Sequence, residues 1–311
     1  MVNKLKKVDL IFIISLLLVL ITLFILGIFF DLKLSISVYN KTSVFGMIGA
    51  SFGELPAWFM LSFTSVIVYK VARLLENKSK RILCYIFSVI LLFVSCGLIY
   101  FSESVVYNGL SEFLNGWIRL LISLLLTSIF VFITFKVITV NDKYTLIRIG
   151  FIVLLTIALQ IGIGTILKYI WSRPRFRLIA FGSGEYDVYD LFRACYQPGR
   201  GLAGIVFANE KSEQFKSFPS GHTSSAACSL LFFFIPSLNT KLTKSIKARI
   251  ILIIFALIYT FAVAYSRIVY GAHYLTDVTF GFIITICSIL LSILLEKKAL
   301  FKVIKQDVKA S

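Results

Sequence analysis

The run Leu10-Ile11-Phe12-Ile13-Ile14-Ser15-Leu16-Leu17-Leu18-Val19-Leu20-Ile21-Thr22-Leu23-Phe24-Ile25-Leu26-Gly27-Ile28-Phe29-Phe30 carries no charge along its length. A helix needs about 20 mostly apolar residues to cross a bilayer, and this run supplies them. It follows Lys4, Lys6 and Lys7, as a signal peptide would. It is too long for a signal's apolar region, however, and no small-residue cleavage site follows, so it reads as a retained anchor.

The rest of the chain repeats this pattern. Of its 311 residues 59% are hydrophobic and 15% charged, and mean hydropathy is +0.92. That composition excludes a soluble domain and indicates an all-α polytopic membrane bundle. About eight spans are expected, near 10–30, 56–73, 82–102, 117–139, 149–170, 222–238, 250–269 and 274–295. The sixth is short and carries Pro236, which leaves six or seven crossings open.

Charge orients the bundle. With the N-terminus inside, the inner segments hold 20 of the 32 Lys and Arg, and most of the acids fall outside. Every inner loop is basic, as the positive-inside rule requires. The basicity therefore reflects topology and anionic lipid, not nucleic acid, for which no motif exists. Both termini are expected in the cytoplasm of a cell-membrane protein. The five cysteines are scattered, without zinc or redox spacing, and read as small apolar core residues. Three regions follow: N-terminal transmembrane helices over 1–145, a transmembrane core over 146–296 with an outer loop at 176–218, and a basic cytoplasmic tail over 297–311.

One stretch breaks the charge rule. Eight of the twelve outer Lys and Arg fall between Lys168 and Lys216. A single basic residue at a helix end snorkels towards headgroups. Four within ten residues, Lys168, Arg173, Arg175 and Arg177, have a ligand to meet. Pro174 biases Arg173 away from helical geometry, so the fifth span ends near Ser172, with the arginines in the loop just above. The long outer loop, with Gly182, Gly184, Pro198, Gly199, Gly201 and Gly204, reads as a cap or a route for substrate, or as a plain connector.

The chain has two histidines, and both lie on this outer side. His222 stands in Pro219-Ser220-Gly221-His222-Thr223. There Ser220 is a natural N-cap, Gly221 admits close backbone approach, and free helix N–H groups bind phosphate oxygens. His273 stands in Ser266-Arg267-x5-His273-x3-Asp277. The four-residue spacing puts Asp277 within reach of His273, where it can fix the tautomer and leave the other ring nitrogen nucleophilic. Cations, helix amides, two His and one Asp around one point suit phosphoryl transfer. No acidic cluster suggests a metal, and no cofactor is expected.

Lys168-x6-Arg175, Pro219-Ser220-Gly221-His222 and Ser266-Arg267-x5-His273-x3-Asp277 resemble the three signatures of the type-2 phosphatidic acid phosphatase superfamily, the integral-membrane lipid phosphate phosphatases. The resemblance covers roughly residues 150–295, and the earlier spans match only as generic membrane helices. It implies that His273 attacks phosphorus to give a phosphohistidine while Asp277 orients it. It further implies that His222 protonates the leaving alkoxide and that Lys168, Arg175, Ser220, Gly221 and Arg267 bind the phosphoryl oxygens, with no metal. Arg175 is followed by Phe176 rather than Pro, with Pro174 ahead of it. Reading Arg173-Pro174 as the pair would put Ile166 at the lysine position, so Lys168 and Arg175 are kept. A six-helix family core with an extra hairpin among the first five spans fits eight crossings.

The expected activity is dephosphorylation of a lipid phosphate or pyrophosphate at the extracytoplasmic leaflet. A phosphotransferase would use the same residues. A proton-coupled anion transporter is the alternative from another class, and it predicts polar residues near the midplane at broken helices.

Overall fold

The computed structural model describes residues 7–103, 116–183, 186–199, 206 and 210–310. Gly184, Arg200, Gly201 and Gly204 of the outer loop lie outside them, as do Lys4 and Lys6. Among the described residues the protein is all-helical apart from one isolated β-bridge, Ser183 with Tyr186. Seven helical segments among the described residues are long and apolar enough to cross a membrane.

Helix α1 (Lys7–Val38) contains the apolar run and is followed by α2 (Val44–Phe52) and α3 (Leu55–Arg73). Next come α4 (Lys78–Glu103), α5 (Gly116–Val137) and α6 (Lys143–Trp171). The second span therefore begins well before residue 56. Helices α2 and α3 form one interrupted span, broken at Gly53-Glu54, where Pro56 in the first turn of α3 starts a new helix. Small residues let α2 lie against the helix that carries Arg267. A Cβ on Gly49 would fall 1.8 Å from Ser266 Oγ, and one on Gly46 would fall 2.8 Å from the Tyr270 ring.

Helix α6 is capped by Asp142, whose carboxylate accepts from Tyr144 N and Thr145 N. It ends at Trp171, as Pro174 predicts, and Ser172 closes it in the left-handed region at φ 45°. The sixth span is a composite. Helix α7 (Gly221–Ala227) continues as a 3-10 helix over Cys228–Leu238. The 3-10 rise of about 2.0 Å per residue stretches these 18 residues to roughly 30 Å, a bilayer's thickness. The segment runs the whole bundle, because Leu238 accepts from Thr139 N beside the start of α6, at the end opposite Trp171. Helices α8 (Ile246–Val269) and α9 (Leu275–Ala310) complete the fold.

The core follows α3, α6 and the 3-10 segment, with Phe63, Ile67, Ile149, Val153, Leu231 and Leu238 buried together. Hydroxyls join helices within it: Ser62 to Ser95 at 2.6 Å, Thr156 to Ser292 at 3.1 Å, and Ser224 to Thr285 at 2.9 Å. Helices α4 and α5 pack on α3 with little of their surface buried. The outer loop folds over the other end. Its Phe176, Ile179, Leu191 and Phe215 cluster with Tyr274, and Leu32 and Tyr39 pack against them from α1 and the turn after it.

Candidate active site

Three stretches converge at the capped end: the end of α6, the start of α7, and the turn between α8 and α9. Gly271, at φ +63°, makes that turn possible. It leaves His273 ahead of α9 rather than on it, since the helix starts at Leu275. The four-residue helical spacing to Asp277 therefore does not apply.

The consequence is a correction. Asp277 Oδ2 is 3.8 Å from His273 Nδ1, beyond hydrogen-bond reach. Instead His273 Nδ1 meets the Ser217 carbonyl oxygen at 2.6 Å. A carbonyl can only accept, so Nδ1 carries the proton and Nε2 keeps its lone pair. Asp277 acts one layer further out. It accepts from Ser217 Oγ at 2.5 Å and Tyr274 N at 2.9 Å, and its backbone oxygen accepts from Ser220 N at 3.0 Å. It thereby ties the segment carrying Ser217 and Ser220 to α9.

Arg173 differs from the expectation of a loop cation facing a ligand. Its guanidinium is 0% exposed and lies between two carboxylates, 2.9 Å from Asp31 of α1 and 2.5 Å from Asp277. It also donates to Thr276 Oγ1 and the Arg193 carbonyl, and its charge sits 4.0 Å over the Tyr274 ring. Asp31, on a helix expected to be generic, thus anchors the back of the site.

The other cations stand where the sequence predicts. Arg175 is buried and donates to the Glu213 and Ala272 carbonyls. Arg267 donates to the Gly46 carbonyl of α2 at 2.8 Å, and its Nε has no partner among the described residues. Lys168, on the last turn of α6, reaches the start of α7. A Cβ on Gly221 would fall 2.9 Å from its Nζ, so only glycine admits the ammonium there without displacing it. Glu213 and Lys216 pair at 2.5 Å on the rim. Burial pushes the Glu213 carboxyl up, but Lys216 outweighs it and holds the group below the usual range.

Ser220 caps α7 through Oγ to Thr223 N. His222 follows, with Nε2 3.1 Å from the Ala50 carbonyl and Nδ1 3.7 Å from Glu54 Oε1. The two imidazoles face each other with ring centres 6.4 Å apart. His273 is 1% exposed, and its buried Nε2 has no partner among the described residues. Burial, then Arg175, Lys168 and Arg267, hold its pKa well below the ordinary histidine range, so the ring is neutral at pH 7. Nε2 of His273 thus stands with Lys168, Arg175 and Arg267 all acting on its ring.

Thus Lys168, Arg175, Ser220, Gly221, His222, Arg267 and His273 are brought together, with Asp277 behind them. Sequence reasoning missed Asp31, Glu54, Ser217 and the α2 carbonyls of Gly46 and Ala50. Of these, the two acids carried a signal, being carboxylates at the edges of apolar spans.

Compared with protein families, residues 149–300 match the PAP2 superfamily. No curated protein and no solved structure matches the chain.

Proposed function

We propose that the chain is a membrane phosphatase of the PAP2 superfamily, whose model residues 149–300 match, and that its substrate is a membrane lipid bearing a phosphate monoester or pyrophosphate. The reaction runs through a phosphohistidine at the extracytoplasmic face and needs no metal. The observation that carries this reading is the partnerless Nε2 of His273, 6.4 Å ring-to-ring from His222 and flanked by Lys168, Arg175 and Arg267.

Nε2 of His273 attacks phosphorus in line as the bond to the lipid oxygen breaks. The Ser217 carbonyl, gripping Nδ1–H, keeps the lone pair on the attacking nitrogen. Lys168, Arg175, Arg267 and the amides at the start of α7 hold the equatorial oxygens and supply the charge that a divalent ion would otherwise supply. His222 gives the leaving alkoxide its proton. Water then attacks phosphorus, the P–N bond breaks, and the water's proton passes to His222. An apolar cavity of about 160 Å³ between α1, α8 and α9, lined by Leu20, Phe261, Ile268 and Phe282, reaches Thr223 beside His222 and has room for a short stretch of a lipid chain. The basic inner loops support cytoplasmic termini and an outward-facing site.

Phosphate release from a panel of lipid phosphates by detergent-purified protein in EDTA tests this reading. Release that disappears in His273→Gln supports it, and full release by that variant rejects the mechanism. Adding acceptor lipids or sugars distinguishes a phosphotransferase, in which phosphoryl appears on the acceptor. The transporter alternative ranks below both, because the ionisable groups gather at one end of the bundle rather than midway along it.

A further inference from the structure

We infer that Glu54 is a positioning residue that keeps His222 loaded with the proton it delivers to the leaving group. The inference rests on the phosphatase reading above and concerns a residue outside the segment matched to the family. Glu54 stands at the break between α2 and α3, with its carboxylate beside His222 in the first turn of α7.

The two ring nitrogens of His222 have different neighbours. The Ala50 carbonyl, 3.1 Å from Nε2, can only accept, so Nε2 carries a hydrogen in either charge state. That leaves Nδ1 as the nitrogen that gives and regains a proton. Glu54 Oε1 lies 3.7 Å from it, at ion-pair distance from the imidazolium but too far to hold the hydrogen tightly. A leaving-group oxygen can therefore compete for that hydrogen.

Charge explains why a carboxylate is needed. Burial first, then Arg267, His273, Arg175 and Lys168, opposes a positive charge on His222. The same three cations surround Glu54. Asp277 cannot compensate, since its carboxylate is committed to Arg173, Ser217 and Tyr274. Glu213 is committed to Lys216. Among the described residues Glu54 is the carboxylate at ion-pair distance from His222.

His273 shows the contrast. It has one acceptor, the Ser217 carbonyl, on the nitrogen that does not react, and nothing on the other. The neighbours thus divide the pair into a nucleophile with a bare lone pair and an acid whose added charge faces a carboxylate. As Nε2 of His273 bonds to phosphorus, the P–O bond breaks and the Nδ1 hydrogen of His222 moves to the departing oxygen. In hydrolysis the water's hydrogen returns to Nδ1, and Glu54 again faces an imidazolium.

Leaving-group dependence reads this role directly. An alkyl phosphate needs its alkoxide protonated, whereas p-nitrophenyl phosphate releases a stable phenolate without help. Wild type, Glu54→Gln, Glu54→Asp, His222→Ala and the double variant Glu54→Gln/His222→Ala are assayed on both esters. Glu54→Gln is expected to reduce kcat on the alkyl ester at least ~10-fold more than on the aryl ester, within the range that general-acid catalysis spans. Glu54→Asp, its carboxylate drawn back from Nδ1, is expected to fall between. On the His222→Ala background the Glu54 substitution should add no further difference between the esters. Equal fractional losses on both esters, or an undiminished difference without His222, overturn the proposal. If Glu54→Gln does not elute as a folded protein, the alkyl-to-aryl ratio of Glu54→Asp decides, and a wild-type ratio overturns it. A wild-type protein that releases phosphate from neither ester nor any lipid phosphate would instead overturn the phosphatase reading.

Discussion

Replacing Arg173 by Met removes the cation that two buried carboxylates share. The guanidinium is fully buried, 2.9 Å from Asp31 and 2.5 Å from Asp277, whose side chains are 2% and 0% exposed. With Arg173 present the cluster holds two negative charges and one positive; without it, two negative charges face each other. Stripping one partner from a buried ion pair costs about 3–5 kcal/mol. That is a large share of a total stability of roughly 5–15 kcal/mol. Asp31→Asn alone leaves Arg173 with Asp277 and is expected to cost less. Adding Asp31→Asn to Arg173→Met removes one stranded charge and is expected to recover part of the loss. Thermal unfolding in detergent, followed by tryptophan fluorescence, gives the order: wild type, Asp31→Asn, the double variant, then Arg173→Met. An Arg173→Met protein within about 0.5 kcal/mol of wild type, the range of an ordinary surface substitution, would refute the reasoning. So would a double variant no more stable than Arg173→Met.

Other perturbations test neighbouring contacts. Ser217→Ala removes a hydroxyl donor from Asp277 but keeps the carbonyl on His273. It should cost about 1–3 kcal/mol in unfolding while leaving measurable turnover, and abolished turnover at wild-type stability would contradict this. Because the folded pKa of His273 lies below its unfolded value of about 6.5, the neutral ring persists as pH falls through 6.5. Its contribution to stability is complete above that value and is lost as pH falls towards the folded pKa. Nitrogen-15 NMR of labelled histidine should show at least one ring neutral at pH 6, and two imidazolium signals there would refute it. Gly281→Ala places a Cβ 2.4 Å from the Ser220 carbonyl oxygen, so α7 must shift. Phosphate release should fall several-fold, with about 1–3 kcal/mol of overpacking strain, and wild-type kinetics would count against the geometry.

Hydropathy and charge made most of the bundle legible, because a bilayer constrains length and loop charge so strongly. The three site segments could be read because their Lys, Arg, His, Ser and Gly residues break the local pattern. Helix α2 was not legible. Gly46, Gly49 and Gly53 look like a loop in sequence, yet they are the small face on which α2 meets α8 and the site. Asp277 was assigned to His273 by a helical spacing that Gly271 cancels, since the helix begins only at Leu275. Arg173 was counted as one of four similar cations. Only the fold shows that Asp31, 142 positions away, receives its charge. Ser217 contributes its carbonyl, a group every residue carries, so sequence gives no sign of it.

The contact between Asp31 and Arg173 also bears on where this chain can be cut. The family segment, 149–300, contains every signature residue, yet an excised piece with those bounds would retain a buried guanidinium balanced by one carboxylate instead of two. It would also lack the carbonyls of Gly46 and Ala50 that hold Arg267 and His222. A piece that keeps these contacts therefore has to include α1 and α2.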